Sequence, residues 1–561
     1  MTLAASPAVV LRTASAEDHP RARTRRVPGS GTAFLVGTAV GAAATAWTVS
    51  AGTNLDYGDA LAHLTIARRI TDNMAPGLAQ LGTVWLPLPH LLLMPLVQSL
   101  WLFETGLAAG ILGSLCLGVT ALGLWRTCAH LGLSRRAAVA GQVVLLTNLS
   151  LLYVSTTALT EPVLLACLSA CLAGLSGWLF SARRLSGGEL AVFAGFPAAA
   201  GVLTRYEAWA LALSATVLVA IAVLRRGDGP RRALVLAGSF AAPSAFAVGW
   251  WLAYNTAIYG NPLEFLTGEY SAAAFTETYA ERGQLTAAGN LGLSVRVLGW
   301  GMLETLGLVW LLVAGVGLLL LTFHRLLDDR ALLVWVAASP VAFLLFSLVS
   351  GNHIMFNDAS LPVGQYNNRY VLAGVPWLVL LVAEVVHRIP TVRTRGAVAA
   401  AVTVAVLAGA AGQVLWWLGD PGGRMTVFEE GRRQQAAYVA VKDAGAWLGQ
   451  HYDGGRVLMD ESALLVAPVI GLPQREFFNR ATGPLFDEAL ADPAGHARWV
   501  LMHIEQVGNL SNASSLDLVT EELAGDPWFH AHYEQVYAVE DVAVYRRLDP
   551  AWPPAVTEVA G

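Results

Sequence analysis

Long apolar segments alternate with short polar connections over the first three quarters of the chain. Eleven of these segments lie near residues 31–50, 105–126, 137–154, 162–181, 187–203, 207–224, 233–254, 297–323, 331–350, 370–387 and 397–418. Most reach the ~20 residues that a helix needs to cross the hydrocarbon core of a bilayer. The pattern therefore predicts a polytopic α-helical membrane protein with about eleven transmembrane helices.

A further apolar stretch, WLPLPHLLLMPLVQSLWLF (85–103), contains three prolines. Proline disrupts a helix interior because it has no N–H to donate and its ring clashes with the preceding turn. We interpret this stretch as an interfacial or re-entrant helix within a long external loop, 51–104. A twelfth crossing of the membrane is the alternative.

The last part of the chain has a different pattern. A polar helical segment near 427–450 precedes four runs that are typical of strands, GRVLMD, RWVLMHI, YEQVYAV and VAVYRRL. Alternating strand and helix signals predict a small α/β domain. The predicted organisation is thus a tail at 1–28, a transmembrane domain at 29–418 and a C-terminal α/β domain at 419–561.

Arginines cluster in alternate connections, which predicts an orientation in the membrane. The clusters lie at 21–26, 126–136, 183–184, 225–232, 325–330 and 388–395. Cytoplasmic loops of membrane proteins are enriched in Lys and Arg. The eleven segments then alternate consistently in a plasma membrane, with the N-terminal tail in the cytoplasm and the C-terminal domain outside it.

Composition agrees with a membrane protein and excludes several other classes. The 561 residues are 55% hydrophobic and 13% charged, with a mean hydropathy of +0.53, whereas soluble domains are about 25% charged. The net charge of −5 gives no support for nucleic acid as a partner. The four cysteines lie in or beside apolar segments and have no zinc-site spacing.

Polar residues that bear on function fall in the connections predicted to be external. In NLDYGDALAHLTIARRITD (54–72), Asp59 and His63 lie four residues apart and share a helix face. Asp59 also suits an N-cap, where a carboxylate accepts backbone N–H groups. Glu161 precedes Pro162 in a very short loop, where it either complements the helix dipole or belongs to a site.

Two arginines begin or precede later segments on the same side. LTRYEAW places Arg205 beside Glu207, and GQYNNRYVLAGVPW places Arg369 near Tyr366. A planar guanidinium suits a phosphate ligand. The alternatives are that Arg205 anchors at the interface or pairs with Glu207, and that Tyr366 is an ordinary interfacial aromatic residue.

The order of these features resembles the GT-C glycosyltransferases, which include the protein O-mannosyltransferases and the bacterial aminoarabinose and arabinofuranosyl transferases. The first loop of aminoarabinose-type members reads like DEARYAEIAREM, and DALAHLTIARRI (59–70) keeps its first acid and its Ile-Ala-Arg at 66–68. Asp59, and not Asp56, therefore falls at the family's catalytic acid. Glu161 resembles the acid of the second external loop, and NNRYVLAGVPW resembles the start of a later span. His63 replaces an aromatic residue, so that residue's role does not carry over.

The resemblance implies transfer of a sugar from a polyprenyl-phosphate-linked donor, with inversion, to an acceptor hydroxyl at the outer membrane face. The acceptor would be a cell-envelope polysaccharide, a lipid or a protein. Asp59 is expected to be the general base, and Glu161 to orient the acceptor or to share a divalent cation with Asp59. Arg205 and Arg369 are expected to neutralise the leaving phosphate. The remaining predicted substrate-binding residues are Glu207, His63 and Tyr366.

The sequence leaves three other classes of protein open. A secondary transporter would usually show internal repeats and broken helices near the middle of the membrane, and the sequence shows no repeat. A ligase or polymerase acting on lipid-linked oligosaccharides shares the donor chemistry, so the sequence does not separate it from a monosaccharide transferase. A receptor-like module based on 419–561 leaves the acids of the external loops unexplained.

Overall fold

The computed structural model describes residues 27–180, 186–268, 270–281, 286–325, 327–361, 364–389, 395–420, 424–505 and 517–549. The predicted N-terminal tail, 1–28, lies outside the described residues except for its last two positions. In the described chain, a large helical part is followed by a mixed sheet with short helices around it.

The helical part extends to Leu418. Its α-helices, labelled in chain order, are α1 (Ser30–Ser50), α2 (Gly58–Arg69), α3 (Leu88–Leu93), α4 (Leu100–Glu104), α5 (Leu107–His130), α6 (Arg135–Leu146), α7 (Leu149–Val154), α8 (Glu161–Leu179), α9 (Gly187–Leu190), α10 (Phe196–Val202), α11 (Glu207–Arg225), α12 (Pro230–Tyr259), α13 (Glu264–Thr267), α14 (Ala272–Glu281), α15 (Leu291–Leu306), α16 (Leu308–Arg325), α17 (Asp329–Val349), α18 (Val375–Arg388) and α19 (Arg395–Leu418). A π-helical turn, Ala191–Gly195, joins α9 to α10, and 3₁₀ turns cover Leu78–Leu81 and Asn368–Gly374.

Eight helices among the described residues are long and apolar enough to cross a membrane, and the number becomes nine if α15 and α16 form one bent span. The eight are Ser30–Ser50, Leu107–His130, Glu161–Leu179, Glu207–Arg225, Pro230–Tyr259, Asp329–Val349, Asn368–Arg388 and Ala400–Leu418. Each corresponds to an apolar segment of the sequence. The prediction of a polytopic helical membrane protein is confirmed.

The other three predicted segments are not single long helices. Segment 297–323 forms α15 and α16, which meet at 113° around Gly307, where a φ of 97° favours glycine. Segment 137–154 divides into α6 and α7, because the Asn148 side chain accepts the Leu151 N–H and starts a new helix. Segment 187–203 is a shorter apolar helix, Gly187–Val202. Hydropathy detects an apolar run but not a bend within it.

The proline-containing stretch 85–103 folds as two short helices, α3 and α4, and contains none of the helices that are long enough to cross a membrane. Pro95 follows the end of α3, where its ring prevents the helix from continuing. The Leu88 N–H donates to the Leu203 carbonyl at 2.9 Å, and His90 on α3 contacts His63 on α2. The stretch therefore packs against α2.

Glycines let several helices approach with their backbones nearly in contact. A Cβ at Gly113 on α5 would lie 1.9 Å from the Ser155 carbonyl oxygen, and one at Gly174 on α8 would lie 1.8 Å from the Phe193 carbonyl oxygen. Small residues at helix interfaces of membrane proteins permit such close packing. Helix α8, which begins at Glu161, is thereby held tightly in the bundle.

The C-terminal part is an α/β domain, as predicted. Its helices are α20 (Thr426–Ala437), α21 (Val439–His451), α22 (Ala467–Ile470), α23 (Pro484–Ala491), α24 (Pro493–His496), α25 (Leu518–Leu523) and α26 (Pro527–His532), and its strands are β1 (Val457–Leu458), β2 (Phe477–Phe478), β3 (Trp499–His503), β4 (Tyr533–Val539) and β5 (Val542–Arg547).

The five strands form one sheet in the order β2-β1-β3-β5-β4. Strand β1 runs parallel to β2 and β3, with Val457 opposite Phe477 and Trp499. Strands β3, β5 and β4 are antiparallel neighbours. The sequence pattern predicts β1, β3, β4 and β5 but misses β2, since two phenylalanines are too short a run to show an alternation.

The C-terminal domain packs directly on α2 and its flanking loops. The Tyr57 hydroxyl donates to the Val427 carbonyl, and the Gly58 N–H donates to Gln434 Oε1 at 2.9 Å. Beyond the other end of α2, the Gln474 N–H donates to Asp72 Oδ2 at 3.1 Å. Helix α2 therefore lies between the membrane helices and the α/β domain.

We predict that Gly174→Ala destabilises the protein by about 1–3 kcal/mol, because its methyl group would overlap the Phe193 backbone. Gly238→Ala on α12 is the matched control, since a Cβ there meets nothing within 4 Å. Thermal unfolding of the detergent-solubilised protein, followed by tryptophan fluorescence, measures both. Equal unfolding midpoints for the two variants would contradict the close approach at Gly174.

Candidate active site

One face of α2 lines a cavity of about 1010 Å³. The lining residues of the helix include Asp59, Ala62, His63, Ile66 and Arg69, whose spacing places them on one side of a helix. The residue before the helix, Tyr57, makes no side-chain cap, and Asp59 lies in the first turn. Its carboxylate contacts Arg369, so Asp59 is not the N-cap that its local sequence also allowed.

Three apolar helices of the bundle begin at this cavity. Glu161 is the first residue of α8 and Glu207 is the first residue of α11. Arg369 is the second residue of the Asn368–Gly374 turn that leads into α18. All three side chains line the cavity. Since a helix N-terminus carries a partial positive charge, three such ends favour anionic groups at this place.

Arg369 is the centre of the polar cluster. Its Nε lies 3.1 Å from Glu161 Oε1, its Nη1 lies 3.1 Å from Glu430 Oε1, and its Nη2 contacts Asp59 Oδ2. Its side chain is 3% exposed. One guanidinium therefore joins carboxylates from α2, α8 and the C-terminal helix α20.

Arg205 extends this cluster on the other side of Glu161. Its Nη1 donates to Glu161 Oε1 at 3.1 Å and to Thr160 Oγ1 at 3.0 Å. Its Nε and Nη2 donate to Glu207 Oε1 at 3.0 and 2.8 Å. The guanidinium also stacks over the Tyr370 ring, 4.3 Å from the ring centroid. The two arginines thus share the Glu161 carboxylate.

The charges in this cluster do not cancel. Four carboxylates (Asp59, Glu161, Glu207 and Glu430) face two guanidiniums, which gives a formal charge of minus two when all are ionised. Burying carboxylates away from water is costly unless cations pair with them. Both arginines are therefore needed for these acids to lie together.

Asp59 is the accessible acid of the cluster. Its side chain is 37% exposed, whereas the side chains of Glu161, Glu207 and Glu430 are each 1% exposed. Only its Oδ2 binds Arg369, and Oδ1 has no hydrogen-bond partner among the described residues. Glu161 Oε2 and Glu430 Oε2 are buried without a partner in the same part of the chain.

The excess of negative charge in the buried cluster is accompanied by an altered pKa at Glu430. Burial raises the pKa of Glu430 to about 7, with Arg369 acting in the opposite direction. The sequence pattern placed Glu430 on a polar helix near 427–450 but gave no reason to assign it to a site, because its partner Arg369 lies 61 residues away.

The four-residue spacing indicated that His63 acts together with Asp59, but its side chain contacts His90 instead. Its Nδ1 lies 2.8 Å from His90 Nε2, and its ring lies 4.5 Å from the Trp85 ring between centroids. Burial, followed by the nearby charges of Arg369 and Arg205, lowers the pKa of His63 to about 3. His63 is therefore a neutral imidazole at the cavity wall, hydrogen-bonded to His90.

Tyr366 and Asp56 lie in different places relative to the cavity. Tyr366 lines the cavity and forms an isolated antiparallel bridge with Phe356. Asp56 is fully buried outside the cavity lining, with Arg432 at 3.6 Å. Burial raises the pKa of Asp56 to about 6, although Arg432 and Lys442 lower it.

The divalent cation stays an untested prediction. Within the part of the chain that the structure describes, no group of three or more His, Cys, Asp or Glu is placed to hold a metal ion. Asp59 and Glu161 both already bind the Arg369 guanidinium. This arrangement does not fit a metal between the two carboxylates.

The fold places the chain among known proteins. No family model matches it, and no curated protein matches its sequence. The crystal structure of ArnT from Cupriavidus metallidurans bound to undecaprenyl phosphate is similar, with a TM-score of 0.55 and 14% identity over 94% of this chain and 100% of that one. The apo state of that ArnT gives a TM-score of 0.47 at 14% identity, over 87% of this chain and 92% of that one.

A third structure is the oligosaccharyltransferase of Archaeoglobus fulgidus tethered to an acceptor peptide, with a TM-score of 0.43 and 11% identity over 92% of this chain and 74% of that one. ArnT, an aminoarabinose transferase, and the oligosaccharyltransferase are both GT-C glycosyltransferases. The similarity to undecaprenyl-phosphate-bound ArnT shows that this chain has the GT-C fold, as the sequence resemblance implied.

We predict that Glu430→Gln changes the pH dependence of stability. Between an unfolded pKa of about 4.3 and the folded pKa of about 7, folded Glu430 keeps a proton that the unfolded chain releases. Raising the pH through this window therefore lowers the free energy of unfolding of the wild type. Because glutamine does not titrate, the Tm of the variant is expected to rise relative to the wild type from about pH 5 to pH 7.

Glu429→Gln is the matched control for this experiment. Its carboxylate lies on the same helix, pairs with Arg433 and is 27% exposed, so this variant removes a carboxylate from α20 without touching the cluster around Arg369. Parallel Tm curves for Glu430→Gln and the wild type would show that Glu430 does not titrate in this window.

Proposed function

We propose that this protein is a glycosyltransferase that moves one sugar from a polyprenyl-phosphate-linked donor to a hydroxyl of a cell-envelope acceptor. The observation that carries the proposal is the placement of Asp59. It is the exposed acid of a buried cluster, it points Oδ2 at Arg369, and it lies on the wall of a large cavity. The similarity of the fold to ArnT bound to undecaprenyl phosphate supports a lipid-phosphate donor.

The proposed reaction is a single displacement at the anomeric carbon. The acceptor hydroxyl gives its proton to Asp59 Oδ1 while its oxygen forms the new glycosidic bond. The bond between the anomeric carbon and the phosphate oxygen breaks, and the phosphate keeps the electron pair. Attack from the face opposite the phosphate inverts the configuration of the sugar.

Each neighbour of Asp59 has a part in this proposal. Arg369 holds Asp59 Oδ2 and so directs the other carboxylate oxygen toward the acceptor. Glu161 Oε2, which has no partner among the described residues, accepts a hydrogen bond from the acceptor and orients it. A carboxylate needs no metal to accept a proton, and a phosphate leaving group needs no proton to depart.

Arg205 is the cation best placed to stabilise the leaving phosphate. Its side chain is 13% exposed, against 3% for Arg369, and it lines the cavity. Glu207 fixes its orientation through two hydrogen bonds to one oxygen. The N-terminal ends of α8 and α11 add a positive potential where negative charge develops. His63 and Tyr366 contribute polar edges to the substrate-binding wall.

Two observations support a location of the site at the outer face of the plasma membrane. The cluster lies where three apolar helices begin, beside the C-terminal domain that supplies Glu430. In the sequence, arginines follow the C-terminal ends of α8 and α11; Arg225, for example, ends α11 and pairs with Asp329. Positive connections are cytoplasmic, so we place the cavity and the C-terminal domain outside a plasma membrane.

We predict that Asp59→Asn lowers sugar transfer by at least about 100-fold, because an amide cannot accept the proton. Membranes carrying each variant are supplied with radiolabelled polyprenyl-phosphate sugars, and label in the envelope fraction is counted. Asp358→Asn is the control, since Asp358 is 46% exposed and pairs with Arg433 outside the cavity lining. Equal transfer by Asp59→Asn and wild type would remove the assignment of the base.

We predict that Arg205→Ala weakens donor binding by about tenfold or more, because it removes a charged hydrogen-bond donor to the phosphate. The dissociation constant of the purified protein for polyprenyl phosphate, measured by quenching of tryptophan fluorescence, is the readout. Arg225→Ala is the matched control at the opposite end of α11. Unchanged affinity in Arg205→Ala would contradict the phosphate contact. Because Arg205→Ala also removes the cation that pairs with Glu207, its Tm is measured beside its affinity, and Arg205→Lys, which keeps the charge, separates lost folding from lost phosphate binding.

Arg369 is less suited to this test, because three carboxylates depend on it. Its removal would leave Asp59, Glu161 and Glu430 facing each other without their shared cation, and breaking a buried pair in this way costs about 3–5 kcal/mol. A loss of donor binding in Arg369→Ala would therefore be inseparable from a loss of folding.

A further inference from the structure

A second polar cluster lies on the wall of the same cavity, at the other end of α2. We call Arg69, Asp460, Glu461 and Arg480 the far cluster. Arg69 pairs with Glu461 and donates its Nε to the Gln80 carbonyl at 2.9 Å. Arg480 binds both oxygens of Asp460 through its Nε, at 2.9 and 2.8 Å. Arg69, Glu461 and Arg480 line the cavity.

The far cluster is separated from Asp59 by the length of α2. Asp59 lies in the first turn and Arg69 is the last residue of the helix, and ten residues of α-helix span about 15 Å. One ligand that reaches from the first cluster to the far cluster must therefore be longer than a single sugar.

Glu461 presents an unused hydrogen-bond acceptor at this place. Its Oε1 contacts Arg69, whereas its Oε2 is buried with no partner among the described residues. The residue as a whole is 9% exposed. A buried carboxylate oxygen without a partner costs free energy, and a ligand hydroxyl in the cavity would satisfy it.

The charges of the far cluster select among ligands. Two guanidiniums balance two carboxylates, so the far cluster has no formal excess of positive charge for a phosphate or another anion. Carboxylates accept from hydroxyl groups and guanidiniums donate to hydroxyl oxygens. A neutral ligand with many hydroxyl groups uses both, and the amphipathic rings of Trp85, Tyr259 and Tyr270 line the same cavity.

An extended peptide fits this wall less well. Peptides that bind in extended form usually pair their backbone with the exposed edge of a sheet. Of the described residues that line the cavity, none lies in a strand of the sheet. The wall offers side-chain donors and acceptors instead, which suits a carbohydrate.

We propose that the far cluster is an acceptor subsite that binds the hydroxyl groups of a carbohydrate chain, with Glu461 and Arg69 contacting a sugar at some distance from the one that is extended. This inference rests on the proposed function, since it takes Asp59 as the point of transfer. It makes the acceptor an oligosaccharide and not a single hydroxyl compound.

The test uses the full-length protein and a length series of acceptors. The probes are neutral oligosaccharides released by mild acid from the envelope polysaccharide of the source cell and separated by size from mono- to hexasaccharide. The dissociation constant of each fraction is measured by thermophoresis without any donor. We expect affinity to increase once the chain is long enough to span α2, and Glu461→Gln to weaken binding of the long fractions about tenfold or more.

Two variants complete the design. Ser462→Leu, which adds apolar volume to the cavity wall without removing an ion pair, is expected to weaken the long fractions and to spare the short ones. Glu476→Gln is the matched control: its carboxylate belongs to the same domain, is 31% exposed and lies outside the cavity lining. If Glu461→Gln does not fold, Ser462→Leu carries the test.

Four results would overturn the inference. Affinity that does not depend on chain length, long-chain binding that both Glu461→Gln and Ser462→Leu leave intact, or displacement of the long fractions by inorganic phosphate would each exclude a carbohydrate subsite. Tighter binding of a Ser- and Thr-rich peptide than of any oligosaccharide fraction would assign the wall to a protein acceptor.

Binding and transfer separate this inference from the proposed function. If the wild type binds long oligosaccharides through Glu461 but transfers no sugar from any polyprenyl-phosphate donor, the subsite stands and the proposed reaction falls. If transfer occurs and its KM is insensitive to acceptor length and to Glu461→Gln, the reaction stands and the subsite falls.

Discussion

The Arg369 guanidinium holds together parts of the chain that are far apart in sequence. It binds carboxylates from the first loop, from the start of α8 and from the C-terminal helix α20. Three acids cannot stay ionised side by side in a buried place without a cation between them. The position of Asp59 at the cavity wall therefore depends on a residue 310 positions later in the chain.

This dependence explains why the C-terminal domain is part of the site and not an appendage. Glu430 binds Arg369, which holds Asp59 in the first turn of α2, and Glu461 binds Arg69 at the last residue of the helix. The cavity is lined both by residues of the helical part and by residues of the α/β domain near Glu461 and Arg480. A catalytic domain built from the membrane helices alone would lack one of the three acids around Arg369.

The sequence indicates the membrane helices and the acid of the first loop for clear physical reasons. Apolar runs report burial in a bilayer, and the seven-residue spacing from Asp59 to Ile66 places both on the helix face that lines the cavity, whereas Arg68 points elsewhere, to Asp72. Contacts across the fold leave no such local trace. The pairing of His63 with His90, the bend at Gly307 and the contact of Glu430 with Arg369 each depend on packing between distant segments. Glu461 shows the same limit, because its local pattern is only that of an acid after a strand, next to Asp460.

Helix α2 also limits where insertions and deletions can occur in this chain during evolution. Each residue of an α-helix adds a rotation of about 100° and a rise of about 1.5 Å. An insertion or deletion of one residue between Asp59 and Arg69 would turn one end of the lining face away from the cavity, and the ion pairs at both ends would no longer form together. Changes of length are expected to accumulate in the loops on either side, while the twelve residues of this helix keep their number.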